Sequence, residues 1–125
     1  MTRFFLSIAA ILGGLAVAAG AFAAHGLKDS LSEHSLEIFD TAARYQMYHS
    51  LALMFVALLF SRSESAQSVL TLAGSAFITG TILFSGSLYG LSLTGIKWLG
   101  AITPLGGVAF IIGWAGIAVA AWNFD

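Results

Sequence analysis

The chain has 125 residues, of which 58% are hydrophobic and 9% are charged, and its mean hydropathy is +0.92. Water-soluble domains carry about 25% charged residues, so this composition excludes a water-soluble globular domain and indicates one domain surrounded largely by lipid. The net charge is −1 with no basic run, which excludes nucleic acid as a partner. Because the chain has no cysteine, disulfides, thiolate metal sites and cysteine nucleophiles are also excluded.

Four segments are apolar enough to be membrane spans. A helix needs about 20 mostly apolar residues to cross a hydrocarbon core of about 30 Å. The predicted spans cover about residues 4–24, 42–60, 69–89 and 104–122. The sequence therefore predicts an all-α membrane protein, a four-transmembrane-helix up-down bundle that forms a single integral membrane domain over residues 1–125.

The first span has a second interpretation. Arg3 precedes a long apolar run that contains Ala21-Phe22-Ala23, and this is also the pattern of a secretory signal peptide with a small-residue cleavage site. We interpret the segment as an uncleaved span.

The link between the first two spans carries most of the charge. Its charged residues are Lys28, Asp29, Glu33, Glu37 and Asp40. Ser30 and Glu33 have the spacing of a capping box, and Leu31, Ile38 and Phe39 fall near helical spacing. These features predict an amphipathic surface helix between spans 1 and 2 that runs or bends into the second span.

The remaining connections differ from one another. Residues 61–68 are short and polar, which predicts a tight antiparallel hairpin of spans two and three. Residues 90–102 are apolar with two glycines, and are either an interfacial loop or a re-entrant piece. Thr103 is predicted to cap the fourth helix, with Pro104 in its first position. Trp98 and Trp122 suit the membrane interface, whereas Trp114 is predicted to pack within the bundle.

Small residues recur at the four-residue spacing that lets membrane helices approach closely. They are Ala16, Gly20 and Ala24, a GxxxG step at Gly86 and Gly90, and the pairs Ala109/Gly113 and Gly116/Ala120. The pattern predicts close packing of the bundle, with a homo-oligomer as one outcome.

Residues capable of chemistry gather at the span ends opposite the termini. This candidate ligand- or partner-binding set is His25, Arg44, Tyr45, Gln46, Tyr48, His49, Ser85, Tyr89 and Thr103. An up-down bundle brings these ends together, and an ionisable group such as His49 inside an apolar boundary is usually paired or functional. The sequence therefore predicts that any site lies at this end of the bundle.

Three functions are compatible with the cluster. The first is a non-enzymatic accessory or binding subunit, which holds a membrane-protein partner, a lipid or a quinone. The second is a small oligomeric transporter or channel. The third is a membrane enzyme or a metal- or haem-binding protein that uses His25 and His49, although no ligand-spacing motif is present and no cofactor is predicted. His49 also has a structural interpretation, as a buried histidine with satisfied hydrogen bonds, and His34 is expected to be solvated.

Four segments in order resemble the YgdD/YwdK-like family of small bacterial inner-membrane proteins, a domain of unknown function. They are residues 20–27 (GAFAAHGL), 41–49 (TAARYQMYH), 85–89 (SGSLY) and 103–107 (TPLGG). The resemblance implies a multi-pass protein of the bacterial cytoplasmic membrane and supplies no activity. Four spans place both termini on the same side. The count of Lys and Arg slightly favours termini outside, whereas Arg3 before the first span favours termini inside. The resemblance tips this balance toward termini in the cytoplasm.

Overall fold

The computed structural model describes residues 1–124, and its regular structure there is entirely helical. Four main helices are α1 (Thr2–His25), α2 (Glu33–Phe60), α3 (Gln67–Thr94) and α4 (Thr103–Trp122). Within α3, a π-helical turn at Thr81–Ser85 joins the α-helical parts Gln67–Gly80 and Gly86–Thr94. A short 3₁₀ helix, Lys97–Ala101, precedes α4.

Three of these helical segments are long and apolar enough to cross a membrane. They are Thr2–His25, Gln67–Thr94 and Lys97–Trp122. Helix α2 also has 28 residues, but its first half carries charged and polar side chains that lower its hydropathy. The second predicted span and the predicted surface helix are therefore parts of one unbroken helix.

Helix α2 begins later than the predicted capping box. Its N-cap is Ser32, whose hydroxyl accepts a hydrogen bond from the backbone N–H of Ser35 at 3.1 Å. The Ser30–Glu33 prediction is wrong because Ser32 stands directly before the first helical turn, and its oxygen reaches the third backbone N–H.

The end of α3 also differs from the sequence prediction. The helix continues past residue 89 to Thr94 and stops at Gly95, which has φ of +72° and donates its N–H to the Leu91 carbonyl at 2.8 Å. Only glycine adopts this left-handed conformation without steric cost, so Gly95 ends the helix. The connection between α3 and the 3₁₀ helix that follows it is therefore only residues 95–96.

Thr103 does not cap α4. Ile102 occupies the cap position, and Thr103 and Pro104 stand in the first turn. The hydroxyl of Thr103 is hydrogen-bonded instead to the hydroxyl of Ser87 at 2.6 Å. The predicted capping role is wrong because this contact ties the start of α4 to α3.

The helices form two antiparallel pairs, α1 with α2 and α3 with α4, which join where α2 packs on α3. The half of the structure that holds the termini has a mostly apolar centre. Its fully buried side chains include Phe5, Leu53, Val56, Leu70 and Phe77. These residues close the space between the helices at that end.

Glycines on α3 and α4 admit phenylalanine rings from the facing helix. A Cβ atom on Gly113 would lie 2.5 Å from the ring of Phe77, and one on Gly80 would lie 2.5 Å from the ring of Phe110. A Cβ on Gly106 would lie 2.3 Å from the backbone N of Phe84. The tight α3–α4 contact therefore requires glycine at these positions.

Other small residues of the sequence pattern face open space. Neither Gly20 nor Gly86 has an atom within 4 Å of the position where its Cβ would stand. On α1 the buried positions are Phe5, Ala9, Ala16 and Ala23, so Ala16 is the one residue of the predicted ridge that is buried. The four-residue spacing of small residues therefore predicted where α4 packs closely on α3. It did not predict which face of α1 is packed.

We expect Gly113→Ala to destabilise the protein by about 1–3 kcal/mol, because the new methyl group overlaps the buried Phe77 ring. The measurement is reversible unfolding of the purified protein in mixed micelles. Gly107→Ala is the matched control on the same helix, since a methyl group there meets nothing within 4 Å. It is expected to leave stability unchanged or to raise it by about 0.5–1 kcal/mol. Equal effects of the two changes would contradict this account of the interface.

Candidate functional site

Gln46 links three helices through its side-chain amide. Its Nε2 donates to the backbone carbonyl of Leu12 in α1 at 2.8 Å, and its Oε1 accepts the hydroxyl hydrogen of Tyr89 in α3 at 2.7 Å. Gln46 is 5% exposed, and the Tyr89 ring packs edge-on against Phe39 with centroids 4.9 Å apart. The amide is therefore held in a defined orientation between α1 and α3.

This link lies deep within the helices. Leu12 is near the middle of α1, so its carbonyl is about 15 Å from the start and about 20 Å from the end of that helix at 1.5 Å rise per residue. His25, by contrast, ends α1 about 20 Å farther along the axis. Gln46 is therefore in the central layer of the structure and not beside His25, where the sequence analysis placed it.

The π-helical turn of α3 points two serines to different neighbours. Ser85 donates to the Ala42 carbonyl of α2 at 2.7 Å, while Ser87 contacts Thr103 of α4. Both serines are buried. A π-helical turn adds a residue to the helix and changes the direction of the side chains that follow. Here that change lets one helix bond to both of its neighbours.

His49 uses both ring nitrogens inside the protein. Its Nδ1 is 2.7 Å from the Tyr45 carbonyl, an acceptor, so Nδ1 carries the hydrogen. Its Nε2 then accepts a hydrogen bond from the indole N–H of Trp114 in α4 at 3.1 Å. The imidazole also stacks on Phe110, with centroids 3.5 Å apart and planes 4° from parallel. This geometry defines a neutral imidazole that joins α2 to α4.

Two tyrosines and the arginine of the candidate set, all on α2, are exposed on the outside of the protein. Tyr45 and Tyr48 are 38% and 48% exposed, and the Tyr45 ring packs against Phe84 at 4.7 Å. Arg44 is exposed and forms an ion pair with Asp40 one turn earlier on α2. His25 and His34 are exposed as well. These side chains line the outside of α2 and the end of α1.

The structure therefore divides the candidate set into residues between the helices and residues on the surface. Gln46, His49, Ser85 and Tyr89 join the helices from within, whereas His25, Arg44 and Tyr48 are on the surface. The sequence analysis missed the Trp114 N–H and the Leu12 carbonyl as partners. The mid-span position of an indole that needs an acceptor was a usable signal for Trp114, whereas nothing in a sequence marks one backbone carbonyl.

The two histidines of the alternative metal or haem site lie far apart along the bundle. The Nε2 lone pair of His49 is used by Trp114, and His25 is about 20 Å from the level of Gln46. Within residues 1–124 no group of three or more histidine, aspartate or glutamate side chains is placed to hold a metal ion.

An open cavity of about 480 Å³ separates α1 from the end of α3, and we call it the lateral groove. One wall is α1, through Leu15, Ala18, Ala19 and Phe22. The other wall and the floor are Leu93 and Tyr89 of α3 with Phe39 and Gln46 of α2. No charged side chain lines the groove, and its only polar groups are the linked pair Gln46 and Tyr89.

A second, smaller cavity of about 280 Å³ lies between α1 and the start of α2. It is lined by Gly20, Ala23, Ala24, Leu36, Lys28 and Asp40. The charged groups at this end of the protein therefore line a different cavity from the lateral groove.

The chain matches a family model described as "Protein of unknown function (DUF423)" over residues 19–107, and it belongs to this family. It is 50% identical to UPF0382 membrane protein YwdK of Bacillus subtilis (strain 168), with 98% of each chain covered. It is 44% identical, again over 98% of each chain, to UPF0382 membrane protein SAB0533 of Staphylococcus aureus (strain bovine RF122 / ET3-1). No solved structure matches the chain. The resemblance to YwdK proteins is thereby confirmed, and the chain is an integral membrane protein of unknown biochemical function.

We expect Gln46 and Tyr89 to be energetically coupled. In a double-mutant cycle of Gln46→Leu and Tyr89→Phe, the coupling energy should be about 0.5–1.5 kcal/mol, because each single change breaks the same hydrogen bond. Unfolding in mixed micelles measures it. Thr71→Val with Tyr89→Phe is the control cycle, since the Thr71 hydroxyl bonds only within its own helix turn. Strictly additive losses for Gln46 and Tyr89 would contradict the link.

We expect His49→Leu to destabilise the protein by about 1–3 kcal/mol, because the indole N–H of the half-exposed Trp114 loses its acceptor in an apolar surrounding. His25→Leu and His34→Leu, at exposed positions, should each change stability by less than about 0.5 kcal/mol. Unfolding measured with and without added Zn²⁺ tests the alternative role of His49 as a metal ligand. A metal that binds the folded state at His49 would raise stability by mass action, and such a rise, absent in His49→Leu, would contradict the structural assignment.

Proposed function

We propose that this member of the DUF423 family is a non-enzymatic binding or accessory subunit of the bacterial cytoplasmic membrane, which takes up a membrane-dissolved ligand in the lateral groove. The observation that carries the proposal is the groove itself, about 480 Å³ in volume, with two linked polar side chains on its floor. Ligand sites are typically concave, mostly apolar and supplied with a few well-placed polar groups. The lateral groove has all three properties.

The proposal includes four membrane spans in an up-down bundle. Helix α2 is about 42 Å long at 1.5 Å per residue, which exceeds a hydrocarbon core of about 30 Å. Its first turns, with Glu33, His34 and Glu37 exposed, would extend into the interface as the predicted amphipathic segment. The outward faces of α1 and α4 carry large exposed apolar side chains such as Ile11, Val17 and Ile111, which suit contact with lipid. Both termini are proposed to lie on the cytoplasmic side.

The hydrogen bonds of the polar groups favour binding over catalysis. A nucleophile needs an adjacent base with a free lone pair. Ser85 donates to a backbone carbonyl, and the Nε2 of His49 is already an acceptor for Trp114. These groups are engaged in holding helices together, which supports a protein that holds a ligand without transforming it.

The packed centre argues against a pore through one chain. A transport route needs polar groups along its length. Between Gln46 and the end of the bundle that holds the termini, the helices enclose four side chains that are each no more than 1% exposed: Phe5, Leu53, Val56 and Phe77. A transporter function would therefore need a path between separate copies of the chain.

We expect Ala18→Phe to remove ligand binding, because the added ring fills the groove from the α1 wall. Native mass spectrometry of the protein from membrane nanodiscs measures the fraction that retains a membrane-derived molecule. The fraction should fall about tenfold in Ala18→Phe, which corresponds to a loss of about 1.4 kcal/mol.

Val17→Phe is the matched control for this test. Val17 is the preceding residue on α1, is 61% exposed and does not line the groove. Its substitution should leave the bound fraction unchanged. The proposal fails if the unsubstituted protein retains nothing, or if Ala18→Phe and Val17→Phe retain as much as the unsubstituted protein.

A further inference from the structure

We infer that the ligand of the lateral groove is a membrane quinone, meaning an uncharged carbonyl-bearing ring on a long isoprenoid chain. The inference rests on the proposed function, since it names the class of molecule that occupies the same groove. It follows from the depth of the groove, the hydrogen-bonding capacity of its floor, its lack of charge and its aromatic side chains.

The depth of the polar floor along α1 favours a ligand other than a phospholipid head group. Gln46 is level with Leu12 in the middle of α1, about 15–20 Å from the helix ends, which the proposed span of α1 puts at the head groups. A ligand that meets Gln46 must therefore carry its polar group within the hydrocarbon layer. Only an uncharged polar group enters that layer at low cost.

The floor can donate one further hydrogen bond. A glutamine amide carries two N–H hydrogens and a carbonyl oxygen. Leu12 takes one hydrogen of Gln46, and Tyr89 holds the carbonyl oxygen, so the second N–H remains for a ligand. Because both partners hold the amide in place, this N–H has a defined direction before the ligand arrives. The matching group on the ligand is an acceptor, and a carbonyl oxygen is the acceptor that carries no charge.

The charges of the protein lie elsewhere. Lys28 and Asp40 line the separate cavity beside Gly20, and Arg44 is paired with Asp40 on the outside of α2. A phosphate or carboxylate in the lateral groove would find no cation there. The absence of charge from the groove lining thus favours a neutral ligand over an anionic lipid.

The apolar lining suits a ring followed by a chain. Phe39 and Tyr89 are in edge contact at 4.9 Å, and Phe22 stands on the α1 wall. Flat conjugated rings pack well against such side chains. Leu15, Ala18 and Leu93 provide a smooth apolar surface along which the isoprenoid chain leads out to the lipid.

The test compares an isoprenoid that carries a carbonyl-bearing ring with an isoprenoid hydrocarbon that has none. The full chain is reconstituted in phosphatidylcholine nanodiscs that contain equal amounts of menaquinone-4 and squalene, and the molecules retained by the protein are quantified by mass spectrometry. Menaquinone-4 should be retained about tenfold over squalene, the ratio expected for one added hydrogen bond to an uncharged group inside the membrane together with ring packing. Phosphatidylglycerol added to the nanodiscs should not displace it.

Two variants of the floor test the role of the amide. Gln46→Leu should abolish the preference for menaquinone-4 over squalene. If this variant does not fold, Tyr89→Phe replaces it, because it keeps the ring but frees the amide carbonyl of Gln46. Tyr89→Phe should reduce the preference about threefold or more, through the lost orientation of the amide.

The outcomes separate the inference from the proposed function. Equal retention of menaquinone-4 and squalene, with both lost in Ala18→Phe, would overturn the quinone assignment and leave the groove as a binding site. Displacement by phosphatidylglycerol would likewise overturn it in favour of an anionic lipid. Retention of neither probe and of no membrane molecule would overturn both, as would retention that Ala18→Phe does not change.

Discussion

A polar side chain in an apolar surrounding must complete its hydrogen bonds within the protein, and the two largest buried ones, Gln46 and His49, both lie on α2. Gln46, His49 and Ser50 are all at most 5% exposed, and each has a partner within the described residues. Leaving one of these groups unpaired in lipid would cost several kcal/mol. The positions of α1, α3 and α4 around α2 are therefore constrained by where those partners stand.

The partners come from each neighbouring helix in turn. Helix α1 supplies the Leu12 carbonyl, α3 supplies Tyr89 and Ser85, and α4 supplies Trp114. Since apolar surfaces alone give helices little reason to associate in lipid, such bonds combine with close packing to define the arrangement. The Gly113–Phe77 and Gly80–Phe110 contacts provide that packing between α3 and α4, where polar bonds are few.

The same arrangement leaves the lateral groove. Phe5 packs on Gly74 at one end of α1, where a Cβ would lie 2.4 Å from the ring, so α1 and α3 touch there. At the other end, α1 is held to α2 by Ala23, Leu27 and Phe39, and the groove separates it from α3. One polar link, Gln46 with Tyr89, thus serves as the floor of the groove and as a connection between helices.

The sequence by itself determined that this is a helical membrane protein, because composition and the length of apolar runs decide which segments can lie in lipid. It also indicated the polar residues that matter, since Gln46, His49, Ser85 and Tyr89 are conspicuous in so apolar a chain. Only the tertiary structure decided their roles and depth. Spacing along one helix cannot show that Gln46 meets a backbone carbonyl in the middle of α1, or that His49 accepts from Trp114, because both contacts depend on how separate helices pack. The end of α3 at Gly95 and the groove beside Tyr89 were likewise decided by backbone conformation and packing between helices.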